Sequence, residues 1–419
     1  MYKFINFDDK FNIIYITRGF LIALLISIFI YLDYLSLTNL LLNTVFGLIS
    51  IYMLLKADSK IWFWSGFFIA MLWFWWIPLS FRYYGFPWAI PFGILSISLI
   101  YGFIFWLVAY FSNILEKKYN IPSIVIKSIF LLVSSYIHPF GFDWFKIELI
   151  FINSYIGIEK WQLLIVLLSI SFYIYTKKWQ YLLIIILSLN IFIKNKPNSI
   201  DDSIKLISTY TSIEDKYKEE LQEKNINMIY QHIEKSIDEN KSIIVFPESI
   251  IPNFLNYDQT TKDRLKDYAQ KISIIIGALY LDDGEVPRNS TYIFTKDKMQ
   301  IANKVVLVPF GEKNPLPDFL SDLVNKIFYN GAVDYKASED IYDYTINNIL
   351  YRNAICFEAT SERLYKNSPK NMIAISNNSW FTPSIEPILQ KLLLRYYSKK
   401  YNITIYHSVN GSKSYIIKK

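Results

Sequence analysis

The distribution of hydrophobic residues divides the chain into two parts. Up to about residue 195 the sequence consists almost entirely of long apolar runs, and from about residue 200 short apolar stretches alternate with charged ones. A helix needs about 20 apolar residues to cross a bilayer. Seven runs approach that length, at residues 19–37, 39–55, 61–79, 88–115, 121–137, 161–175 and 179–193. The first part is therefore predicted to be a membrane α-helical bundle of about seven spans, and residues 149–158, which are apolar but too short, favour a re-entrant or interfacial piece.

The basic residues between these runs predict the orientation of the bundle. Loops rich in lysine and arginine stay on the cytoplasmic side of a membrane. The loops before the first run and after the second, fourth and sixth runs hold most of the basic residues: Lys3, Lys10, Arg18, Lys56, Lys60, Lys117, Lys118, Lys177 and Lys178. The N-terminus is therefore predicted to be cytoplasmic. Seven crossings then place everything after residue 193 on the outer face.

The second part has the pattern of a layered α/β domain. Short apolar strands are predicted at 204–208, 242–246, 272–281, 291–295, 304–308, 353–357, 372–376, 404–407 and 414–417, and helices at 213–239, 260–270 and 385–399. Several strands are apolar on both faces, so they should be buried between layers. We predict a transmembrane helical domain over residues 1–198 and an extracytoplasmic catalytic domain over residues 199–419.

Composition narrows the class of protein. Hydrophobic residues make up 53% of the chain and the mean hydropathy is +0.23, which is too apolar for an ordinary soluble enzyme. The net charge of +7 comes from scattered lysines, so we expect no nucleic-acid partner. Cys356 is the only cysteine, which excludes an intrachain disulfide, and the three histidines lie far apart. We therefore expect no metal and no cofactor.

Three polar residues stand at predicted strand ends. Taken singly, each has an ordinary explanation: Cys356 as a small buried side chain, Glu248 as a carboxylate at a helix N-terminus, and Lys304 as a strand-edge lysine. Taken together, a carboxylate can remove the thiol proton, and an ammonium can hold an oxyanion. Lys313 is a competing lysine, but it follows Gly-Glu in a loop. The set predicts an acyl-transfer site.

The order of these motifs resembles the nitrilase, or carbon-nitrogen hydrolase, superfamily. With the membrane half and the LVPFGE string, it most resembles the apolipoprotein N-acyltransferase family. Four segments carry the resemblance: VFPESIIP at 245–252, KVVLVPFGE at 304–312, ICFE at 355–358 and SNNSWF at 376–381. The resemblance implies an α/β nitrilase-type αββα sandwich fused to the helical bundle.

The chain departs from the family pattern in three places. The early Gln-Gly segment is STY at 208–210, the tryptophan that follows it is Tyr217, and the final Asn-Asn-Gly loop is VNG at 409–411. The family also has an eighth membrane helix after the outer domain. Here residues 415–419 are too short to span, so we expect the outer domain to be held by its N-terminal connection.

The resemblance also implies a reaction. A fatty acyl group would pass from a membrane phospholipid to Cys356 as a thioester, and then to the N-terminal amine of a diacylglyceryl-cysteine on an apolipoprotein. In this ping-pong scheme Glu248 is the base, Lys304 and the Phe357 N–H stabilise the oxyanion, and Glu312 and Glu358 orient the catalytic groups or handle the amine. Candidate substrate contacts are Arg82, Tyr217, Asn377, Trp380 and Phe381. The implied setting is a bacterial cytoplasmic (inner) membrane with a periplasmic catalytic domain, and we expect a monomer.

Alternatives remain open from the sequence. One is a membrane-tethered nitrilase-type amidase, in which water replaces the amine and a small amide replaces the lipid. Another is a non-catalytic scaffold with a degenerate enzyme domain.

Six tryptophans lie in the third and fourth runs: Trp62, Trp64, Trp73, Trp75, Trp76 and Trp88. They favour an aromatic belt at the membrane interface. The alternative is a wall that binds acyl chains, near which Arg82 could meet a phosphate.

Overall fold

The structure, a computed structural model of the 419-residue chain, describes residues 12–190, 201–216, 218–282, 286–315 and 335–418. The chain divides into two compact units. The first comprises Met1–His138, Asp143–Lys194 and Ser384–Leu392, and the second comprises Pro139–Phe142, Asn195–Pro383 and Leu393–Lys419. The predicted boundary between residues 198 and 199 lies outside the described residues.

The first unit is helical. Its α-helices are α1 (Ile13–Tyr34), α2 (Leu40–Lys56), α3 (Ser59–Phe74), α4 (Ile90–Tyr119), α5 (Ser123–Val133) and α6 (Lys160–Thr176). Its 3₁₀ helices are Ile77–Tyr84, Pro87–Ala89, Ser134–Tyr136, Ile147–Phe151 and Trp179–Ser188. The first three α-helices begin where a side-chain oxygen of Asn12, Asn39 or Asp58 accepts a bond from a backbone N–H of the first turn.

Apolar helical segments occur at each of the seven predicted runs. Within the described residues, three are long and apolar enough to cross a membrane, Ile13–Tyr34, Pro87–Tyr119 and Ser123–Gly141. A fourth is possible if Ser59–Phe74 and Ile77–Tyr84, which meet at a bend of 53°, form one broken span. The remaining three segments are shorter apolar helices. The number of crossings therefore stays a prediction.

The interior of the helical unit is aromatic. Trp62, Trp73 and Trp76 are at most 2% exposed, so the prediction of an interfacial belt is wrong for these three residues. Each indole N–H has a partner inside the unit: Leu54 O at 2.7 Å, Ser27 Oγ at 3.0 Å and Trp73 O at 2.8 Å, respectively. A buried indole needs such a bond to avoid an unsatisfied donor. The short apolar piece Ile147–Phe151 is also buried.

The second unit contains two six-stranded sheets. The strands are β1 (Ile204–Leu206), β2 (Ser208–Thr209), β3 (Ile243–Val245), β4 (Ile251–Phe254), β5 (Ser273–Leu281), β6 (Pro287–Phe294), β7 (Met299–Asn303), β8 (Asp343–Ile346), β9 (Ile349–Ile355), β10 (Asn371–Asn377), β11 (Thr404–Asn410) and β12 (Tyr415–Ile417). The first sheet has the order β1-β3-β5-β6-β7, with β4 paired to β5. The second has the order β12-β11-β10-β9-β8, with β2 paired to β11.

The sheets pack face to face between helices. The helices are α7 (Ile213–Lys216), α8 (Glu219–Asp238), α9 (Gln259–Ala269) and α10 (Glu386–Tyr401), and the second unit holds α10 from Leu393 onward. Isoleucines and tyrosines of both sheets form one core, and α8 and α9 pack on the other face of the first sheet. The crossover α10 joins the parallel strands β10 and β11, both of which are buried. The predicted αββα sandwich is confirmed for this unit.

One predicted strand and one predicted helix are wrong in detail. The structure describes residues 304–308, and it has no strand at this expected position. Strand β7 ends at Asn303, and Lys304 is the next residue. The backbone N–H groups of Val305 and Val306 donate to the Glu358 carboxylate, so they are not available for a strand ladder. The helix expected at 213–239 is two helices, α7 and α8.

A glycine in β5 allows a turn to approach the first sheet closely. A Cβ at Gly277 would lie 2.5 Å from the Ser249 N atom, 2.7 Å from the Glu248 Cα atom and 2.7 Å from the Pro247 carbonyl oxygen. These are backbone atoms, which cannot move aside as a flexible side chain can. The position of the turn at Glu248 therefore depends on the absence of a side chain at Gly277.

We expect Gly277→Ala to lower the free energy of unfolding of the full-length protein by ~1–3 kcal/mol, the usual cost of overpacking. Thermal unfolding in detergent measures this change. Gly311→Ala is the matched control, because the nearest atom to its Cβ would belong to the Val308 side chain, at 3.3 Å. Equal unfolding midpoints for the two variants would contradict the close approach.

Candidate active site

The thiol lies where strand β9 turns into a short helix. Cys356 follows Ile355, the last residue of β9, and begins the 3₁₀ helix Cys356–Thr360. Its φ of 53° is in the left-handed region, which is uncommon for a residue with a side chain. The side chain is half-buried. The strand thus ends in a sharp turn with the cysteine at its apex, and strained backbone of this kind clusters at functional sites.

The carboxylate of Glu248 lies beyond the end of β3 and is buried. The next residue, Ser249, has a φ of 46°, so this strand also ends in a left-handed turn. Asn289 Nδ2 donates to Glu248 Oε1 at 2.7 Å. The carboxylate therefore has a fixed orientation toward strand β6, which lies beyond β5 in the same sheet.

The ammonium of Lys304 lies between two carboxylates. Its Nζ atom is 2.8 Å from Glu312 Oε2 and 3.7 Å from Glu248 Oε1, and the side chain is 1% exposed. Burial alone would lower the pKa of Lys304, but the charges of Glu312, Glu248 and Cys356 outweigh burial and raise that pKa above its usual range. Lys304 is thus a buried cation paired with two carboxylates. The competing lysine, Lys313, is exposed.

The Glu312 carboxylate is held by the residues around it. Its Oε1 atom accepts from Lys304 Nζ at 2.9 Å and from Asn289 Nδ2 at 2.8 Å, and its Oε2 atom accepts from the Val308 N–H at 2.9 Å. Asn289 therefore bridges Glu248 and Glu312 with one amide group. Sequence reasoning missed Asn289, which lies among the polar residues that begin β6, PRNST at 287–291, so nothing in the sequence singles it out.

The Glu358 carboxylate lies under the site and binds backbone groups. It is 1% exposed. Its Oε1 atom accepts from the Ile355 N–H at 2.7 Å, and its Oε2 atom accepts from the N–H groups of Val305 and Val306 at 2.7 and 3.1 Å. Burial raises the pKa of Glu358 to about 7, against the opposing effects of Lys304 and these N–H groups. The carboxylate joins the lysine segment to the cysteine segment.

A second buried lysine, which sequence reasoning also missed, belongs to the same cluster. Lys216 ends α7 and is 3% exposed. Its Nζ atom donates to the Glu248 backbone oxygen at 3.1 Å. Burial lowers the pKa of Lys216 to about 8, although the charges of Glu248 and Cys356 oppose the shift. In the sequence it lies in a charged stretch, IEDKYKEE, that is typical of a solvated helix.

Phe357 follows the cysteine and is 4% exposed. Its ring stacks on that of Phe142, with centroids 5.5 Å apart. Phe142 belongs to Pro139–Phe142, the short segment that clusters with the second unit. The proposed oxyanion role of the Phe357 N–H stays a prediction.

The Asn-containing segments near residues 377 and 410 are joined by the side-chain amide of Asn410. Asn410 Oδ1 accepts from Thr209 Oγ1 at 2.8 Å, and its Nδ2 atom donates to Asn377 Oδ1 and Ser379 Oγ, both at 2.8 Å. The oxygen of Asn377, a candidate substrate contact, is thereby engaged within the protein. The segments in which this chain departs from the family pattern, at 208–210 and 409–411, are thus in mutual contact.

The other candidate substrate contacts lie in different settings. Trp380 and Phe381 are half-buried, in and after the 3₁₀ helix Asn378–Trp380. Arg82 belongs to the first unit, where its guanidinium lies 4.7 Å from the centre of the Tyr83 ring. Tyr217 lies outside the described residues. Substrate contact by these residues and by Asn377 stays a prediction.

The arrangement combines a thiol at a sharp turn, a buried carboxylate and a fixed ammonium. These are the groups that nucleophilic acyl transfer requires: a nucleophile, a base and a charge that stabilises an oxyanion. Across the described ranges there is no group of three or more His, Cys, Asp or Glu side chains that could hold a metal ion.

Comparison with known proteins agrees with these features. Residues 13–195 match the model of the apolipoprotein N-acyltransferase integral membrane domain. The chain is 38% identical to an apolipoprotein N-acyltransferase of Wolinella succinogenes, over 94% of each chain. It is 36% identical to one of Helicobacter pylori, over 92% of this chain and 88% of the relative.

Among solved structures, Saccharomyces cerevisiae Nit3, a member of branch 10 of the nitrilase superfamily, aligns with 49% of this chain and 74% of its own. The identity is 17% and the TM-score is 0.37. The sequence relatives carry the assignment, because they span almost the whole chain. A helical unit that matches the membrane-domain model, a sandwich that brings Glu248, Lys304 and Cys356 together, and relatives of this extent together show that the chain belongs to the apolipoprotein N-acyltransferase family.

Proposed function

We propose that this chain transfers a fatty acyl group from a membrane phospholipid to the N-terminal amine of a diacylglyceryl-cysteine on apolipoproteins. In the first half-reaction Glu248 takes the thiol proton and the Cys356 sulfur attacks the ester carbonyl carbon. A C–S bond forms, the ester C–O bond breaks, and the proton passes to the leaving lysophospholipid.

In the second half-reaction the amine of the apolipoprotein attacks the thioester carbonyl. A C–N bond forms, the C–S bond breaks, and Glu248 takes the amine proton and returns it to the thiolate. A thioester suits this step, because it remains reactive toward an amine. Each half-reaction passes through a tetrahedral oxyanion, for which Lys304 and the Phe357 N–H are the proposed donors.

The buried Lys304 ammonium is the observation that carries the proposal. At 2.8 Å from Glu312 and 3.7 Å from Glu248, it has a fixed position, and its side chain is 1% exposed. A preorganised charge stabilises a transition state without reorganising during the reaction. Glu312 would hold the ammonium in place, and Glu358 would fix the backbone on either side of it.

Membership of the apolipoprotein N-acyltransferase family favours this acyl transfer over the amidase alternative. A small amide would not require the helical unit, whereas a phospholipid donor and a lipid-modified acceptor both reside in a membrane. We propose that the catalytic unit faces the periplasmic side of the cytoplasmic membrane, since exported apolipoproteins meet phospholipid there.

We expect incubation with phospholipid to raise the intact mass of the purified protein by one acyl group, and hydroxylamine to remove it. Cys356→Ser should show no such gain and no transfer to a diacylated lipopeptide, because a serine hydroxyl is far less ionised than a thiol at neutral pH. Intact-mass spectrometry and a lipopeptide acylation assay provide the two measurements. Near-normal transfer by the serine variant would overturn the proposed nucleophile.

Glu248 and Glu358 should differ in a single-turnover experiment. We expect Glu248→Gln to slow thioester formation by about 10²-fold or more, because the base that ionises Cys356 is gone. Glu358→Gln should slow it less, since Glu358 binds backbone groups. Rapid-quench measurement of the acyl-enzyme gives both rates. Equal rates in the two variants would require another base.

Reporter fusions test the orientation. With a cytoplasmic N-terminus and seven crossings, fusions at Lys118 and Lys178 should report the cytoplasm and a fusion at Lys419 the periplasm. Paired alkaline phosphatase and fluorescent-protein fusions distinguish the two sides. A cytoplasmic signal at Lys419 would require an even number of crossings and would separate the site from its exported acceptor.

A further inference from the structure

Lys216 is a buried cation that the proposed reaction does not yet use. It is 3% exposed, and its ammonium donates a hydrogen bond to the Glu248 carbonyl oxygen, at 3.1 Å. It also interacts electrostatically with the Glu248 carboxylate and with Cys356. Burying a lysine is unfavourable unless its charge is balanced. Because Lys216 is buried beside the proposed base and nucleophile, its charge contributes to the charge balance of the site.

The charges around Cys356 can be counted. Among the described residues, the ionisable groups of this cluster are Lys216, Lys304, Glu248, Glu312 and Glu358. The Lys304 ammonium already faces two carboxylates, Glu312 and Glu248, so these three groups together carry a charge of −1. Lys216 brings the sum to zero, before any charge on Glu358 or the thiol is counted.

This balance matters when the thiol ionises. In the proposed first half-reaction Glu248 takes the thiol proton and loses its charge, so the thiolate forms beside Lys304, Glu312 and Lys216. With Lys216, these three groups and the thiolate carry charges that sum to zero. Without Lys216 the same state carries a charge of −1, and excess negative charge at close range disfavours ionisation of the thiol. Lys304 cannot serve instead, because Glu312 already compensates its charge.

We propose that Lys216 is a positioning residue whose ammonium holds the backbone at Glu248 and supplies the positive charge that balances the Cys356 thiolate. The proposal rests on the proposed function, because it assumes that Cys356 reacts as a thiolate. Lys216 acts through Glu248 and Cys356 and does not itself exchange a proton with substrate.

The protonation state of the Lys216 side chain near neutral pH agrees with this role. Burial lowers the pKa of Lys216 to about 8, while Glu248 and Cys356 act in the opposite direction. At pH 7 the side chain is still mostly protonated, because the pH lies below that value. The positive charge is therefore present where the thiol must ionise.

Alkylation of Cys356 with iodoacetamide tests the proposal directly, since the chain has one cysteine and every alkylated thiol reports on the site. Full-length protein in detergent is alkylated between pH 5 and pH 10, and the rate is followed by intact mass. We expect Lys216→Met to raise the midpoint of the pH profile by about one pH unit or more, which corresponds to a roughly tenfold slower rate at pH 7. Lys216→Arg, which retains the charge, should restore the wild-type midpoint.

Lys271→Met is the matched control, because Lys271 is exposed and its substitution removes the same charge away from the site. If Lys216→Met does not fold, Lys216→Gln replaces it, since glutamine retains a donor without the charge. A profile of the uncharged variant that overlaps the wild type would overturn the role of Lys216. Failure of the proposed function has a different signature, namely acyl transfer that persists in Cys356→Ser.

Discussion

The ion pair between Lys304 and Glu312 is the interaction on which the active site depends. A buried ammonium is tolerated only with close, hydrogen-bonded counter-charges, and here they come from the loop that Lys304 itself begins and from the end of β3. Removing Glu312 would leave an excess positive charge, and removing Lys304 would leave two carboxylates facing each other. The loop after β7 is therefore folded around this pair, with the Val308 N–H and the Asn289 amide completing the coordination of Glu312.

The same pair explains why the site needs more than three residues. With Glu312 as its only partner, Lys304 would form a neutral pair, but the proposed mechanism adds a second carboxylate, Glu248, as the base. The additional negative charge must then be balanced, and Lys216 is suitably placed to do so. Asn289 separates the two carboxylates by donating one N–H to each. The proposed base, oxyanion donor and nucleophile are thus accompanied by the amide of Asn289 and by a second cation, Lys216.

Two of the proposed site residues follow apolar strands, and the structure has them at the strand ends that the sequence predicts. Glu248 and Cys356 come after the buried strands β3 and β9, and an apolar run followed by a polar residue is visible without a structure. Lys216 and Asn289 were missed, because a lysine in a charged helix and an asparagine in a hairpin strand acquire their roles only from segments distant in sequence. The strand expected at 304–308 was wrong for the same reason: the carboxylate of Glu358, from a distant segment, captures its N–H groups. The layered α/β class was predictable from the apolar strands and the αββα sandwich from the family resemblance, whereas the burial of Trp62 and Trp73 depends on how the helices pack.

The position of Glu358 has a mechanical consequence. One carboxylate bridges the amides of Val305 and Val306 on one side and of Ile355 on the other. Glu358 itself belongs to the cysteine segment, so the lysine loop cannot separate from that segment without breaking the two bonds from Val305 and Val306 together, and the two segments form one cooperative unit toward local opening. Lys304 directly precedes Val305, and Cys356 directly follows Ile355, so the proposed ammonium and the proposed nucleophile both lie next to these bonds. Local opening would therefore move the two segments together rather than pull these two residues apart.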